Sequence, residues 1–219
     1  PANEIYATGG TISSDFPGTA GAHSPGYNGG KTDGFLSKIT PGGALQRSTY
    51  IGTSSYDNSF FVQCDKYGDV YVYGQSLGNM PVINVPGLPV FSVPNTHQFV
   101  SCYDQQLANL KMSTVFGTKT NGIDISPSAF AIDECNGNIY LSGWGGGLIT
   151  NTAVLSQMPL LNPTQAFTTG YDFYLMALKP HASALLYGSY YGGTQSQEHV
   201  DGGTSRFDRR GVIYQSVCA

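Results

Sequence analysis

The densest group of reactive side chains is Glu198-His199-Val200-Asp201. Carboxylates beside an imidazole are the groups that ligate metals or move protons. In an extended strand successive side chains alternate, so Glu198 and Val200 share one face and His199 and Asp201 the other. Only His199 and Asp201 would then act together. The plainer use of this cluster is a hydrogen-bonded loop that positions the Asp201-Gly202-Gly203 turn. A second candidate is Trp144, the single tryptophan, inside Gly143-Trp144-Gly145-Gly146-Gly147. An exposed indole there would be a stacking platform for a sugar ring, although a lone Trp more often packs. The glycine run itself lacks the third glycine of GxGxxG and precedes no helical pattern, which argues against dinucleotide binding. Trp144, His199 and Asp201 are therefore the candidate ligand-binding residues. No catalytic and no metal-binding residue is assigned.

Asp57, Asp124 and Asp201 form a third, repeated feature. They stand 8, 9 and 7 residues before Asp65, Asp133 and Asp208. One carboxylate per repeat could contribute to calcium sites, but calcium takes about 6–8 oxygens. Turn capping is the simpler role, and no cofactor is expected, with calcium as the one possibility kept open. Glu occurs three times, too few to support a paired-carboxylate glycosidase. There is no P-loop, HExxH, EF-hand loop or GxSxG. The remaining histidines, His23, His97 and His181, read as surface or loop residues. The four cysteines, Cys64, Cys102, Cys135 and Cys218, include no CxxC. An even number permits disulfides outside the cell without defining their connectivity.

What must position these side chains is a sheet protein. The 219 residues hold 29 Gly, 15 Tyr and 11 Phe but only 11% charged residues. Strong helix formers are scarce and strand-favouring aromatics abundant. Net charge is −4 and the ten Lys and Arg do not cluster, so a nucleic-acid surface is not expected. No apolar run approaches the 18 residues of a membrane span. The apolar share of 40% is too high for a disordered chain. The sequence opens at Pro1 with no signal peptide, and is expected to lack its original start.

The chain repeats itself. Asp65-Lys66-Tyr67-Gly68-Asp69-Val70-Tyr71-Val72-Tyr73-Gly74 returns as Asp133 to Gly143 and as Asp208 to Gln215, and a shortened copy runs from Asn3 to Gly9. The aligned tyrosines are Tyr6, Tyr71, Tyr140 and Tyr214, at separations of 65, 69 and 74. Phe16-Pro17, Met80-Pro81 and Met158-Pro159 follow in the same order. Aromatic-led runs come next, from Phe35, Phe99 and Tyr174. Runs ending in Gly52, Gly117 and Gly192 close each unit. Short apolar runs bounded by Gly, Pro, Asn and Asp predict strands and turns. Strands are predicted at Val70 to Tyr73, Ile139 to Ser142 and Val212 to Gln215, in equivalent places. Val70-Tyr71-Val72-Tyr73 is apolar on both faces, which predicts a strand buried from both sides.

Small sheets packed face to face around an axis make a β-propeller. The repeats run roughly 1–64, 65–132 and 133–207, and a fourth starts at 208–219. The expected fold is thus an all-β propeller segment of about three blades plus the first strand of a fourth. Closed propellers have about 4–8 blades. The segment is therefore expected to belong to a larger propeller or chain, and to be unstable without something covering its end faces.

The first repeat resembles the SBBP family of bacterial β-propeller repeats. The matching elements are Ile5-Tyr6-Ala7-Thr8-Gly9, Ser14-Asp15-Phe16-Pro17, Asp33-Gly34-Phe35-Leu36-Ser37-Lys38 and Ser48-Thr49-Tyr50-Ile51-Gly52. Around Phe99 the Asp and Lys of that pattern have no counterpart. Phe60-Phe61-Val62-Gln63, Asn138 to Gly146 and Glu198 to Asp208 look like a group of large Bacteroidota surface proteins. There, propeller repeats precede PKD-type domains and a gliding-motility-associated C-terminal sorting domain read by type IX secretion. The resemblance implies an extracellular, cell-surface, structural or adhesive module without catalytic residues. Its partners would be the rest of its own chain, neighbouring surface proteins, glycans or the secretion machinery. The alternatives are a carbohydrate-binding module using Trp144 and loop tyrosines, or a propeller glycosidase or lyase using His199 and Asp201.

Overall fold

Alternating valine and tyrosine suits a pleated surface packed from both sides, where β-branched and aromatic side chains fit best. The computed structural model describes residues 3–119, 122–145, 155, 157–168, 172–194, 205–207 and 213–215. The first sheet is β1 (Ile5–Thr11), β2 (Asp33–Ile39) and β3 (Leu45–Ile51). The second is β4 (Asp57–Cys64), β5 (Val70–Ser76), β6 (Gln98–Tyr103) and β7 (Leu110–Phe116). The third is β8 (Ile125–Ile132), β9 (Ile139–Gly145), β10 (Phe173–Leu178) and β11 (Leu185–Tyr191). β12 (Ser205–Phe207) and β13 (Ile213–Gln215) form a hairpin. Every sheet is antiparallel. The only helical turn among the described residues is a 3-10 turn, Pro180–Ala182. The protein is all-β, and none of its described helices is long and apolar enough to cross a membrane.

The sheets share one register. Tyr6, Tyr71 and Tyr140 lie opposite Lys38, Cys102 and Ala177 on the following strand. Tyr71, Tyr140 and Tyr214 lie opposite Gln63, Ala131 and Arg206 on the preceding one. Phe35, Phe99 and Tyr174 each face a glycine: Gly9, Gly74 and Gly143. The irregularities repeat as well. Register shifts fall between Lys38 and Ile39, Cys102 and Tyr103, and Ala177 and Leu178. In the first strands of the second and third sheets, Phe60 and Ser128 are the extra residues of a bulge at the same point. A bulge bends its strand and sharpens the twist, so like bulges at like positions give the sheets a common shape. Gly74 is required by close approach. A Cβ there would lie 2.5 Å from the Phe99 ring and 2.4 Å from the Asn58 carbonyl oxygen.

Two apolar layers separate three sheets. Leu36 and Ile51 of the first sheet meet Val70, Val72, Phe99 and Val115 of the second. The other face of the second sheet, with Tyr71, Tyr73, Val100 and Phe116, meets Ile139, Leu141, Tyr174 and Met176 of the third. β5 therefore has core on both sides, and all seven of its residues are buried. The closest approach between sheets is β4 beside β1; β4 also lies beside β8, and β8 beside β12, with the second and third sheets fanning out from that side.

The long proline-containing loops return to cover the last strand of each sheet. Thr19 N–H donates to the Ser48 carbonyl and Tyr50 N–H to the Ser24 carbonyl along β3. Ile83 and Ser113 exchange backbone bonds along β7, and Leu161 and Gly188 do so along β11. Tyrosine hydroxyls tie down two of these loops. Tyr50 donates to the Phe16 carbonyl at 2.9 Å, and Tyr190 accepts from Met158 N–H at 2.9 Å. Cys64, Cys102 and Cys135 are free thiols. Cys218 and Val212 lie outside the described residues.

Candidate functional site

Each of the two described Asp-turns folds around its own first carboxylate. Asp65 Oδ1 accepts the N–H groups of Tyr67 and Asp69, both at 2.9 Å. Asp133 Oδ1 accepts Cys135 N–H at 2.8 Å, and its Oδ2 accepts the Asn136 amide at 2.7 Å. This is the side-chain-to-backbone bonding that makes Asp a turn former. In the β8–β9 turn Gly137 takes a φ of +77°, open to glycine at no cost.

The two turns, on neighbouring sheets, line a cleft of about 220 Å³ together with Tyr71 and with His181 of the 3-10 turn. His181 holds a φ of +55°, an uncommon conformation for a non-glycine residue. Its Nδ1 lies 3.2 Å from the Tyr71 hydroxyl. Lys66 Nζ crosses between the sheets to donate to the Cys135 carbonyl at 3.3 Å. It also lies 5.3 Å from the ring centroid of Tyr67, which is 77% exposed. The contact between Tyr71 and His181 has a counterpart one sheet earlier, where the Tyr6 hydroxyl donates to the Gln105 carbonyl at 3.3 Å. The repeated tyrosine thus reaches into the next sheet's hairpin in both cases.

Burial pushes the Tyr71 phenol and the Cys102 thiol far above their ordinary values, so both stay protonated. A neutral thiol is a poor nucleophile. Asp133 already has both carboxylate oxygens occupied within its turn. What faces solvent is an aromatic ring, an ammonium group, an imidazole and amide groups. Such a mixture can hold a small polar molecule by hydrogen bonds and stacking.

The residues singled out in the sequence fall elsewhere. Trp144 is a half-buried residue of β9, opposite Phe173 on β10 and Ser126 on β8, rather than a fully exposed platform. His199 and Asp201, with Glu198, lie outside the described residues. Asp57 and Asp124 are fully enclosed. Asp57 Oδ2 accepts Thr53 N–H at 2.7 Å and the Thr53 hydroxyl at 3.0 Å. Asp124 binds Thr118 N–H at 2.9 Å and the Thr118 hydroxyl. Their carboxylates strap the turn between one sheet and the next. Among the described residues, no three His, Cys, Asp or Glu gather as a metal site. His181 went unrecognised in the sequence because its partner Tyr71 is 110 residues away.

No protein-family model matches the chain, and no curated protein matches it. The likeness to surface-protein repeats rests on the quoted motifs.

Proposed function

We propose that the chain is a run of β-propeller blades acting as a rigid, non-catalytic structural and adhesive module of a large secreted cell-surface protein. The observation that carries this is the common register, with the same bulge at Phe60 and Ser128 and the same slip after Lys38, Cys102 and Ala177. Sheets of one shape that meet at their first strands and fan apart are the geometry of blades about an axis. Two-sided packing makes each blade depend on its neighbours and the whole stiff. Secretion by the type IX route, and a Bacteroidota source, rest on the sequence motifs. Electron microscopy of the full-length gene product tests the architecture. Blades around a central axis are expected, and a linear stack of sheets would overturn the proposal.

The cleft between the second and third sheets favours a second reading, a sugar-binding module. It is smaller than the roughly 300–1,000 Å³ of drug-sized sites, which suits a single pyranose ring against Tyr67. Saturation-transfer NMR with methyl glucoside, mannoside and galactoside tests it. Transfer that disappears in Tyr67→Ala supports this reading, and no transfer from any of the three removes it.

A further inference from the structure

The β10–β11 turn, Lys179 to Ala184, is strained beyond what the fold requires. Its counterpart one sheet earlier is Asp104 to Asn109. Asp104 N–H donates to the Asn109 carbonyl as Lys179 N–H does to that of Ala184. In this alignment Ala182 corresponds to Leu107. Both are fully buried and both are left-handed, at a φ of +53°. Both carbonyls accept an N–H from the preceding sheet's loop, His23 to Leu107 at 2.8 Å and Phe91 to Ala182 at 2.7 Å. Their conformation therefore serves the docking of sheet on sheet. His181 corresponds to Gln106, which is not left-handed. The φ of +55° at His181 is thus a second strained position in succession, without that docking role. Its side chain is half-buried, and its one hydrogen bond among the described residues is with Tyr71. Strained residues cluster at ligand sites, where the strain pre-organises a side chain. Here the side chain it positions is one that lines the cleft.

We infer that the cleft takes a neutral polyhydroxy ring, with His181 Nε2–H donating to one hydroxyl and Asp65 Oδ2 accepting from another, and that it rejects the acidic sugar of the same shape. This rests on the sugar-binding reading above and names the class of sugar. A phenol keeps its proton at neutral pH. Tyr71 donates that proton to His181 Nδ1, which leaves the imidazole proton on Nε2. Asp65 uses only Oδ1 in its turn, and its Oδ2 accepts from no described residue. A free donor and a free acceptor in one cleft suit hydroxyls, which both give and take hydrogen bonds. Charge decides against an acid. Asp65 and Asp133 both line the cleft, half-buried and buried, whereas Lys66 is exposed. Solvent screens the lysine more than it screens the enclosed carboxylates. Lys66 is also engaged already, by the Cys135 carbonyl and the Tyr67 ring. A ligand carboxylate would therefore meet net repulsion.

The test is an NMR titration of the whole chain with the methyl glucoside, mannoside and galactoside, each beside its methyl uronide. At low salt the neutral sugar that binds is expected to do so about tenfold more tightly than its uronide. Asp65→Asn should narrow that ratio to below about threefold. His181→Phe, which removes both ring nitrogens, should weaken the neutral sugar about tenfold. His181→Gln keeps an amide donor and should bind within about threefold of the unaltered chain. Nitrogen-15 spectra of the His181 ring should show the proton on Nε2. A uronide that binds as well as its neutral partner would overturn the inference. So would a proton on Nδ1, or full binding by His181→Phe. The uronide ratio and the ring proton are read on the unaltered chain, so they decide even where a variant fails to fold. The two levels of argument separate cleanly. If a glycoside binds but ignores both substitutions, only the assignment of Asp65 and His181 fails. If none of the three glycosides binds the unaltered chain, the sugar reading fails and takes this inference with it.

Discussion

β1 and β5 hold the same position in successive sheets and align Tyr6 with Tyr71 and Gly9 with Gly74. Yet every residue of β5 is buried and none of the seven in β1 is. Across the strands the chemistry differs although both places are buried. Cys102, opposite Tyr71, is a thiol, whereas the same place opposite Tyr6 holds Lys38, which forms a 3.0 Å ion pair with Glu4. Burial here is set by neighbouring sheets rather than by the local motif. The first sheet has core on one face, and the second has core on both.

Substitutions at matched positions should separate the two sheets most. Tyr71→Ala is expected to cost about 3–5 kcal/mol, as for other large aromatics removed from a core. Tyr6→Ala should cost less than half as much. Urea unfolding measures both, and equal losses would mean that β1 is as enclosed as β5. Glycine replacement is the next discriminator. Gly74→Ala drives a methyl into the Phe99 ring and the Asn58 carbonyl, for a loss of about 1–3 kcal/mol. At Gly9 the nearest atom to the added methyl is the Phe35 ring edge at 3.0 Å. That ring is only half-buried and can tilt, so less than about 1 kcal/mol is expected.

Thiol labelling sharpens the same contrast kinetically. Exposed Cys135 should react with iodoacetamide first. Cys64, on β4 between the first and second sheets, is pushed up to about 11 by burial. At pH 8 only about a thousandth of it is thiolate. Cys102, inside the second sheet, should react only on unfolding. Mass spectrometry of timed samples gives the order, and early labelling of Cys102 would contradict the packing.

The smallest effect is expected from pH. Burial, with Asp57 nearby, raises the Asp33 carboxyl above its ordinary value, although Asn28 N–H donates to it. Its Oδ1 is buried without a partner. The folded state therefore holds this proton more tightly than the unfolded chain does. Stability falls as pH rises above about 4 through the raised value. Asp33→Asn should flatten that part of the profile. The second sheet has His97 at the equivalent place, so an unchanged slope in Asp33→Asn would assign it to other groups.

The parts of the fold that were legible in the sequence are those with repeated chemistry. Tyr71 and Tyr140, the aromatic-led runs from Phe35, Phe99 and Tyr174, and the two-sided burial of Val70 to Tyr73 all follow from spacing. The first strands were harder to read. Ile125-Ser126-Pro127-Ser128-Ala129 has a proline and two serines, which argue against a strand except at an edge, and β8 is an edge. The pairing of loops with β3, β7 and β11 depends on backbone groups, which leave no mark on side-chain pattern. The cleft joins two turns that were each legible, but their approach depends on sheet-to-sheet packing. Tyr67 and Lys66 read simply as turn residues, and His181 as a loop residue.

Strand order has a kinetic consequence. Within each sheet every strand pairs with the one before or after it in sequence. Among the described strands, no pairing waits for a distant part of the chain. Topologies built from near-sequence contacts fold faster than those that close long loops. Each sheet can also nucleate on its own as the polypeptide is delivered from its N-terminal end. Each meander can zip up as it is synthesised, and docking against the sheet already formed then completes its burial.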